Sequence, residues 1–339
     1  PYSCSDSAYI LLSENTKQIN RKTNIYKDGF VYTKTNSICN YTIPEQIPLD
    51  YEFGYLVGAY AAEGCMTKHQ VSISNNDIEY LKPIIHWCDK YNITTKIYKR
   101  ENVNSIGWTS QDVRIYNTIL CRILSNLCGN LSHNKYVSST IVFSNKECIL
   151  GFLDAYIGGD GFVQRHKKSQ RNAIESNSET HRCEGIQVSS VSYKLLLDVQ
   201  IMLKNLGIIG NINKPKKAIK NNRGTLPENI KQPYNLTILN QQGKKLANLL
   251  NIKVEEKQNR CKQVLSETFK YEYSREHTII PNIVNGELTM QPRNNQCPDL
   301  IFDKVISIEE VKNPTSYAYD LTVEDTRNFD IYNSICLAD

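Results

Sequence analysis

The sequence predicts an α+β chain in which one domain is written twice, followed by a short all-β segment. Three observations carry this. Residues 53–64 (FGYLVGAYAAEG) and 150–161 (LGFLDAYIGGDG) read as the same apolar helix, with Gly54 falling on Gly151, Gly58 on Ala155, Ala62 on Gly159 and Glu63 on Asp160. The sequence downstream repeats as well: QVSISNNDIEYLKPIIHWCDKYNITTKIYK follows the first copy. IQVSSVSYKLLLDVQIMLKNLGIIGNINK follows the second, after an insertion around residues 164–183. From residue 300 onward, short alternating runs separated by turns replace helical spacing, an all-β pattern.

Each element has its own reason. Small residues four apart let two helices approach backbone to backbone, so pairing the two apolar helices would bring Glu63 and Asp160 together at one end. Two close carboxylates are hard oxygen ligands and favour Mg²⁺. The plainer reading is a pair of buried helices, each ending in a glycine C-cap beside a solvated acid. In each copy an alternating stretch then reads as a strand. A polar N-cap (Asn76 or Asp77; Ser192) opens a helix of about four turns. Second strands are expected at Thr94–Tyr98 and Gly210–Lys214, and third strands at Asp112–Tyr116 and Tyr234–Leu239. Helices at Thr118–Leu127 and Gln241–Leu250 close the copies. Residues 271–299, with Pro281, Asn285-Gly286, Pro292 and Pro298, read as a linker with short strands.

Composition bounds the function. A chain of 339 residues is long enough for two or three domains, and 40% hydrophobic with 22% charged residues is ordinary for a soluble protein. No apolar run reaches membrane-spanning length and no signal-peptide pattern opens the chain, so neither a membrane partner nor secretion is expected. Eleven cysteines, an odd count without a C-x-x-C pair, include Cys88, Cys121 and Cys148 in helical patterns. They point to reduced thiols in an intracellular protein. A net charge of +5 does not by itself mark a nucleic-acid binder. The basic residues are clustered, however, in 164–172 (QRHKKSQRN) and 213–232 (NKPKKAIKNNRGTLPENIKQ), beside the strands of the second copy. That placement suits phosphate contact.

The paired helices resemble the LAGLIDADG (dodecapeptide) homing endonucleases, and the resemblance covers about residues 49–268. It implies two pseudo-symmetric saddles of antiparallel strands with helices behind, residues 49–143 forming the first half and 144–270 the second. It also implies double-stranded DNA as partner, a monomer on a long asymmetric site, and Mg²⁺ as cofactor. Glu63 and Asp160 match the family's catalytic, metal-holding acids. HNKYVSST resembles its lysine block, which gives Lys135 a catalytic role, although Ser138 stands where the family has proline. The equivalent block of the second half is EEKQNR, giving Lys257. The alternative for either lysine is a solvated helix-terminal charge. A saddle's two-stranded ribbons fit the DNA major groove. Candidate DNA-contacting residues are Ser72, Ser74, Lys96, Lys99, Arg100 and Arg114 in the first half, and Gln187, Ser189, Lys214, Lys216 and Lys217 in the second. Strand alternation would turn about half of them away from DNA.

YAYDLTVEDTRNF resembles the C-terminal strand block of inteins, the Hedgehog/intein (Hint) fold, and NSICLAD aligns with its closing block. This makes residues 300–339 a C-terminal Hint segment and implies a host protein (extein) in cis. Asp320 matches the family's strand aspartate, but Arg327 stands where a histidine is usual and Ala338-Asp339 replaces His-Asn. Asp339 can still cyclise through its carboxyl group. Residues 1–48 are too short for a full N-side half and read as partial or degenerate. With no initial Met, the chain reads as a piece of a longer product. The expected function is therefore a DNA homing endonuclease that cuts an intein-less allele, carried in an intein whose splicing half is incomplete. The rivals are a cleavage-inactive DNA- or RNA-binding remnant and a splicing element with passive nuclease cargo.

Overall fold

The computed structural model describes residues 9–11, 24–33, 42–101, 109–164, 185–214, 233–266, 279–284, 287–292, 328–331 and 335–338. The chain divides into two compact units, 1–268 and 269–339. The first opens with short strands β1 (Tyr9–Leu11), β2 (Asn24–Lys27), β3 (Phe30–Thr33), β4 (Thr42–Pro44) and β5 (Gln46–Pro48). β1 pairs with β5, and β2, β3 and β4 form an antiparallel sheet. None of these strands was expected from the sequence. Val31, Ile43 and Ile47 nevertheless lie fully buried in the same core as the helices that follow.

The first copy then runs α1 (Tyr51–Glu63), β6 (Gly64–Met66), β7 (Val71–Ser74), α2 (Ile78–Lys90), β8 (Thr95–Glu101), β9 (Thr109–Ile115) and α3 (Thr118–Cys128). After a 3₁₀ turn (Ser132–Asn134) and α4 (Ser139–Val142), the second copy repeats the order. Its elements are α5 (Lys146–Asp160), β10 (Gly161–Gln164), β11 (Gly185–Ser190), α6 (Tyr193–Asn205), β12 (Asn211–Asn213), β13 (Tyr234–Leu239) and α7 (Asn240–Leu249), with α8 (Glu255–Ser266) beyond. The sheets share one topology, β6-β7-β9-β8 and β10-β11-β13-β12, all antiparallel.

Local chemistry sets these elements. Asp50 accepts from the Phe53 N–H at the start of α1, and Asn145 accepts from the Cys148 N–H at the start of α5. Each such cap stabilises a helix by about 1 kcal/mol. Asp77 and Ser192 cap α2 and α6. In each sheet alternate residues turn inward: Val71, Ile73, Val113 and Ile115 in the first, Ile186, Val188, Leu236 and Ile238 in the second. The outward faces are mainly polar, with Tyr98 in the first and the exposed Phe162 in the second.

α1 and α5 pack along their small residues. A Cβ on Gly54 would lie 2.1 Å from the Cys148 carbonyl oxygen, and one on Gly58 would lie 2.2 Å from that of Phe152. On the facing helix, a Cβ on Gly151 would lie 2.1 Å from the Tyr51 oxygen. The backbones touch, and any side chain would part them. Five cysteines among the described residues (88, 121, 128, 148 and 261) are buried thiols, and Cys65 is exposed.

In the second unit, β14 (Ile279–Val284) and β15 (Glu287–Pro292) make a hairpin with Val284 opposite Glu287. β16 (Asn328–Ile331) pairs with β17 (Ile335–Ala338). Asp320 and Asp339 lie outside the described residues.

Candidate active site

Both apolar helices end in the same way. The N–H of Gly64 bonds back to the Tyr60 carbonyl and that of Gly161 to the Ile157 carbonyl, and the chain then turns into a strand. Neither glycine is a left-handed cap: Gly64 has φ −84° and Gly161 φ −78°. Each glycine is the C-cap of its helix, in extended rather than left-handed conformation. The glycines are needed for space, because a Cβ would stand 2.5 Å from the Tyr60 oxygen in one case and 2.4 Å from the Ile157 oxygen in the other. The turn places Glu63 and Asp160 at the same end of the helix pair. Gly159 shows how close they come, since a Cβ there would sit 2.7 Å from Ala62 Cβ and 3.0 Å from Glu63 Cγ.

Glu63 is half-buried and Asp160 is exposed, and the two side chains crowd together at the helix ends. Desolvation raises the Asp160 carboxyl to about 7, and the Glu63 charge pushes in the same direction against both lysines. Desolvation also raises Glu63, opposed by Lys257 and Lys135. The Tyr80 hydroxyl, bonded to the Ala155 carbonyl at 2.9 Å, is buried beside both acids, which add to its own raised value.

The two lysines close the helix ends. Lys135 Nζ donates to the carbonyls of Tyr60 (2.8 Å), Ala61 (2.8 Å) and Gly64 (2.9 Å). Lys257 Nζ donates to those of Ile157 (3.3 Å), Gly158 (2.6 Å) and Gly159 (2.7 Å). Open carbonyls at a helix C-terminus carry partial negative charge, and an ammonium there is favourable. Lys135 is only 7% exposed, so it is no solvated charge. Burial lowers both ammonium groups, while Glu63 and Asp160 push them back up.

Sequence reasoning missed what holds Lys135. The Ser192 hydroxyl, already the α6 cap, donates to the Lys135 carbonyl at 2.6 Å. The buried Asp198 carboxylate accepts from the Val137 N–H at 2.9 Å. Thus α6 of the second half holds the lysine segment of the first. A second buried acid, Asp154 on α5, accepts from the Tyr51 hydroxyl (2.6 Å) and the Asn251 N–H (2.7 Å). Its carboxyl is pushed up by burial to about 6. Acids inside the apolar runs LGFLDAYIGG and YKLLLDVQIML were the available signal.

The strand candidates sort by register. Ser72 and Lys96 pair with Arg114, and Ser74 with Asp112, on the outward face of the first sheet. Lys99 pairs with Gln111, one residue out of step, so alternation turns it to the opposite face. Its side chain is exposed there. Arg100 pairs with Ser110. In the second sheet Gln187 pairs with Thr237 and Ser189 with Asn235, facing outward. Lys214 is exposed just past β12, while Lys216 and Lys217 lie outside the described residues.

Two neighbouring carboxylates, one half-buried and one open to solvent, suit a hard divalent cation. Among the described residues no third His, Cys, Asp or Glu joins them. The remaining ligands would be water and substrate phosphate, as Mg²⁺ commonly takes.

A family model described as a LAGLIDADG-like domain matches residues 50–128 and 147–251. The DNA-directed RNA polymerase subunit Rpo1C of Methanocaldococcus jannaschii is 25% identical over 87% of this chain and 36% of its own length. The ATP-dependent DNA helicase Hel308 of Thermococcus kodakarensis is 29% identical over 50% of this chain and 14% of its own. The chain thus spans about a third or less of these relatives. Among solved structures, I-DmoI in complex with DNA and Ca is 15% identical, covering 61% of this chain and 95% of that one, with a TM-score of 0.40.

Proposed function

The chain belongs to the LAGLIDADG-like family, and on that premise we propose that it is a Mg²⁺-dependent, site-specific DNA endonuclease that cuts both strands of a long asymmetric site. The observation that carries this reading is the pair of acids at the joined helix ends, each helix end closed by its own lysine. A remnant that only bound nucleic acid would gain nothing from two crowded, mutually repelling carboxylates.

Hydrolysis of a phosphodiester adds a water oxygen to phosphorus and breaks the bond to the leaving oxygen. Glu63 and Asp160 would hold the cation, which supplies positive charge to the phosphate and lowers the pKa of a bound water. The lysines keep the helix ends shut and set positive charge beside both acids. The polar outward faces of the two sheets would lie in the major groove. Both acids come from one chain, which supports a monomer on a non-palindromic site.

We further place this nuclease in an intein, in cis with a host protein, acting on an allele that lacks the element. Segments like this chain occur in an RNA polymerase subunit and in a helicase, enzymes of unrelated activity, as an inserted element would. The free, buried thiols suit a reducing intracellular setting.

The test is selection of a binding site from random DNA with the full chain, followed by footprinting and a cleavage assay. A long non-palindromic footprint and cutting of both strands only with added divalent cation are expected. Binding without cutting in Mg²⁺ would favour the inactive remnant.

A further inference from the structure

The first sheet carries one side chain prepared in advance for a specific contact. Arg114 stands on the outward face of β9, flanked in the ladder by Ser72 and Lys96. Its Nε donates to Asp112 Oδ2 at 2.9 Å, and its guanidinium carbon lies 4.0 Å from the centre of the Tyr98 ring. Asp112 is 3% exposed and accepts on the same oxygen from the Ser72 hydroxyl at 3.0 Å. The Tyr98 hydroxyl is tied to that of Tyr116 at 2.9 Å. An acid on a DNA-facing surface would repel phosphate, so its presence there needs a reason. Bracing Arg114 supplies one.

Arginine normally loses much rotamer freedom on binding, and a fork already ordered loses less. Here stacking fixes the plane of the fork and the Asp112 bond fixes its rotation. The Nε is used and Tyr116 is a further hydrogen-bond partner of the guanidinium; the terminal amino groups carry four N–H donors, enough to keep a two-donor edge. Guanine presents two acceptors, N7 and O6, side by side in the major groove, and arginine reads them bidentately. We propose that Arg114 reads a guanine in the half-site under the first sheet, with Asp112 and Tyr98 as positioning residues. The inference rests on the DNA-endonuclease reading. A backbone phosphate is the competing target for the same fork, and the two differ in how binding depends on sequence.

The test uses the full chain and site selection from random DNA, comparing wild type with Arg114→Gln, Asp112→Asn and Asp112→Ala. Thermal melting checks that each variant is folded. Wild type should fix one guanine in one half-site, preferred by roughly 5- to 150-fold. Arg114→Gln should abolish that preference or move it to adenine, leaving the other positions as they were. Asp112→Asn, which keeps an acceptor for Nε, should retain part of the preference that Asp112→Ala loses. If Arg114→Gln weakens all sequences alike and leaves the preference intact, Arg114 contacts phosphate and the inference fails alone. If wild type binds no DNA sequence preferentially, the endonuclease reading fails with it.

Discussion

Lys257 and Lys135 close equivalent helix ends by different routes. Lys257 stands in the first turn of α8, on a helix of its own half. Lys135 stands on a non-helical segment after a 3₁₀ turn, and α6 of the other half holds it through Ser192 and Asp198. The sheets diverge too. The first offers Lys96 and Arg114 on its outward face, the second Gln187, Ser189, Asn235 and Thr237, all uncharged. The halves agree at the helix ends, where Glu63 and Asp160 each stand beside a lysine that closes the helix. They differ on the outward faces of the two sheets. Duplication constrains the shared centre and leaves the periphery free to change.

The helix interface gives the largest expected contrast. Gly58 and Ala155 occupy equivalent positions, and only Ala155 has room for a Cβ. Gly58→Ala should lower stability by about 3 kcal/mol or more, because the backbones must part. Ala155→Gly should cost only about 1 kcal/mol. Urea unfolding measures both, and equal effects would contradict the close approach.

The lysines come next. Lys135→Met leaves three carbonyls near the acids without their donor and should cost about 1–3 kcal/mol. Lys257→Met should cost less, its ammonium being less deeply buried. Asp198→Ala should reproduce part of the Lys135→Met loss of stability without touching the Lys257 end. If Lys257→Met is the more destabilising, the cross-half clamp does not matter as described.

The acids give the smaller effect, read from pH. Folding raises Asp160 from near 4 to about 7, so the folded state binds the extra proton. That contribution is complete below the unfolded value and is lost as pH rises through about 7. In metal-free buffer Asp160→Asn should therefore be more stable than wild type at pH 8, by no more than about 1 kcal/mol, because Asp160 is exposed and solvent screens its charge. The gain should vanish toward pH 4. Glu63→Gln should show the same sign. Thermal melts across that range would show it, and a gain independent of pH would mean that folding does not raise the Asp160 carboxyl.

Much of this could be read from residues alone, and what could not has a physical reason. The α1–α5 pair was legible because Gly54, Gly58, Gly151 and Gly159 keep one steric pattern across two copies. β13 begins and ends where alternation placed it. β6 and β10 were not legible, since strands of three and four residues opening on glycine show no period. The N-terminal strands are equally short. Lys135 and Lys257 stood out through a local motif, but their carbonyl partners lie 71 to 75 and 98 to 100 residues away. Asp112 looked like an ordinary strand acid, and only the ladder shows it bracing Arg114.

The most direct measurement pairs binding with cutting in Glu63→Gln and Asp160→Asn. Each change removes a charge from the joined helix ends and leaves shape almost unaltered, so each should bind the selected site about as tightly as wild type while cutting neither strand in Mg²⁺. Cutting at the wild-type rate by either variant would show that the reaction is run elsewhere on the protein.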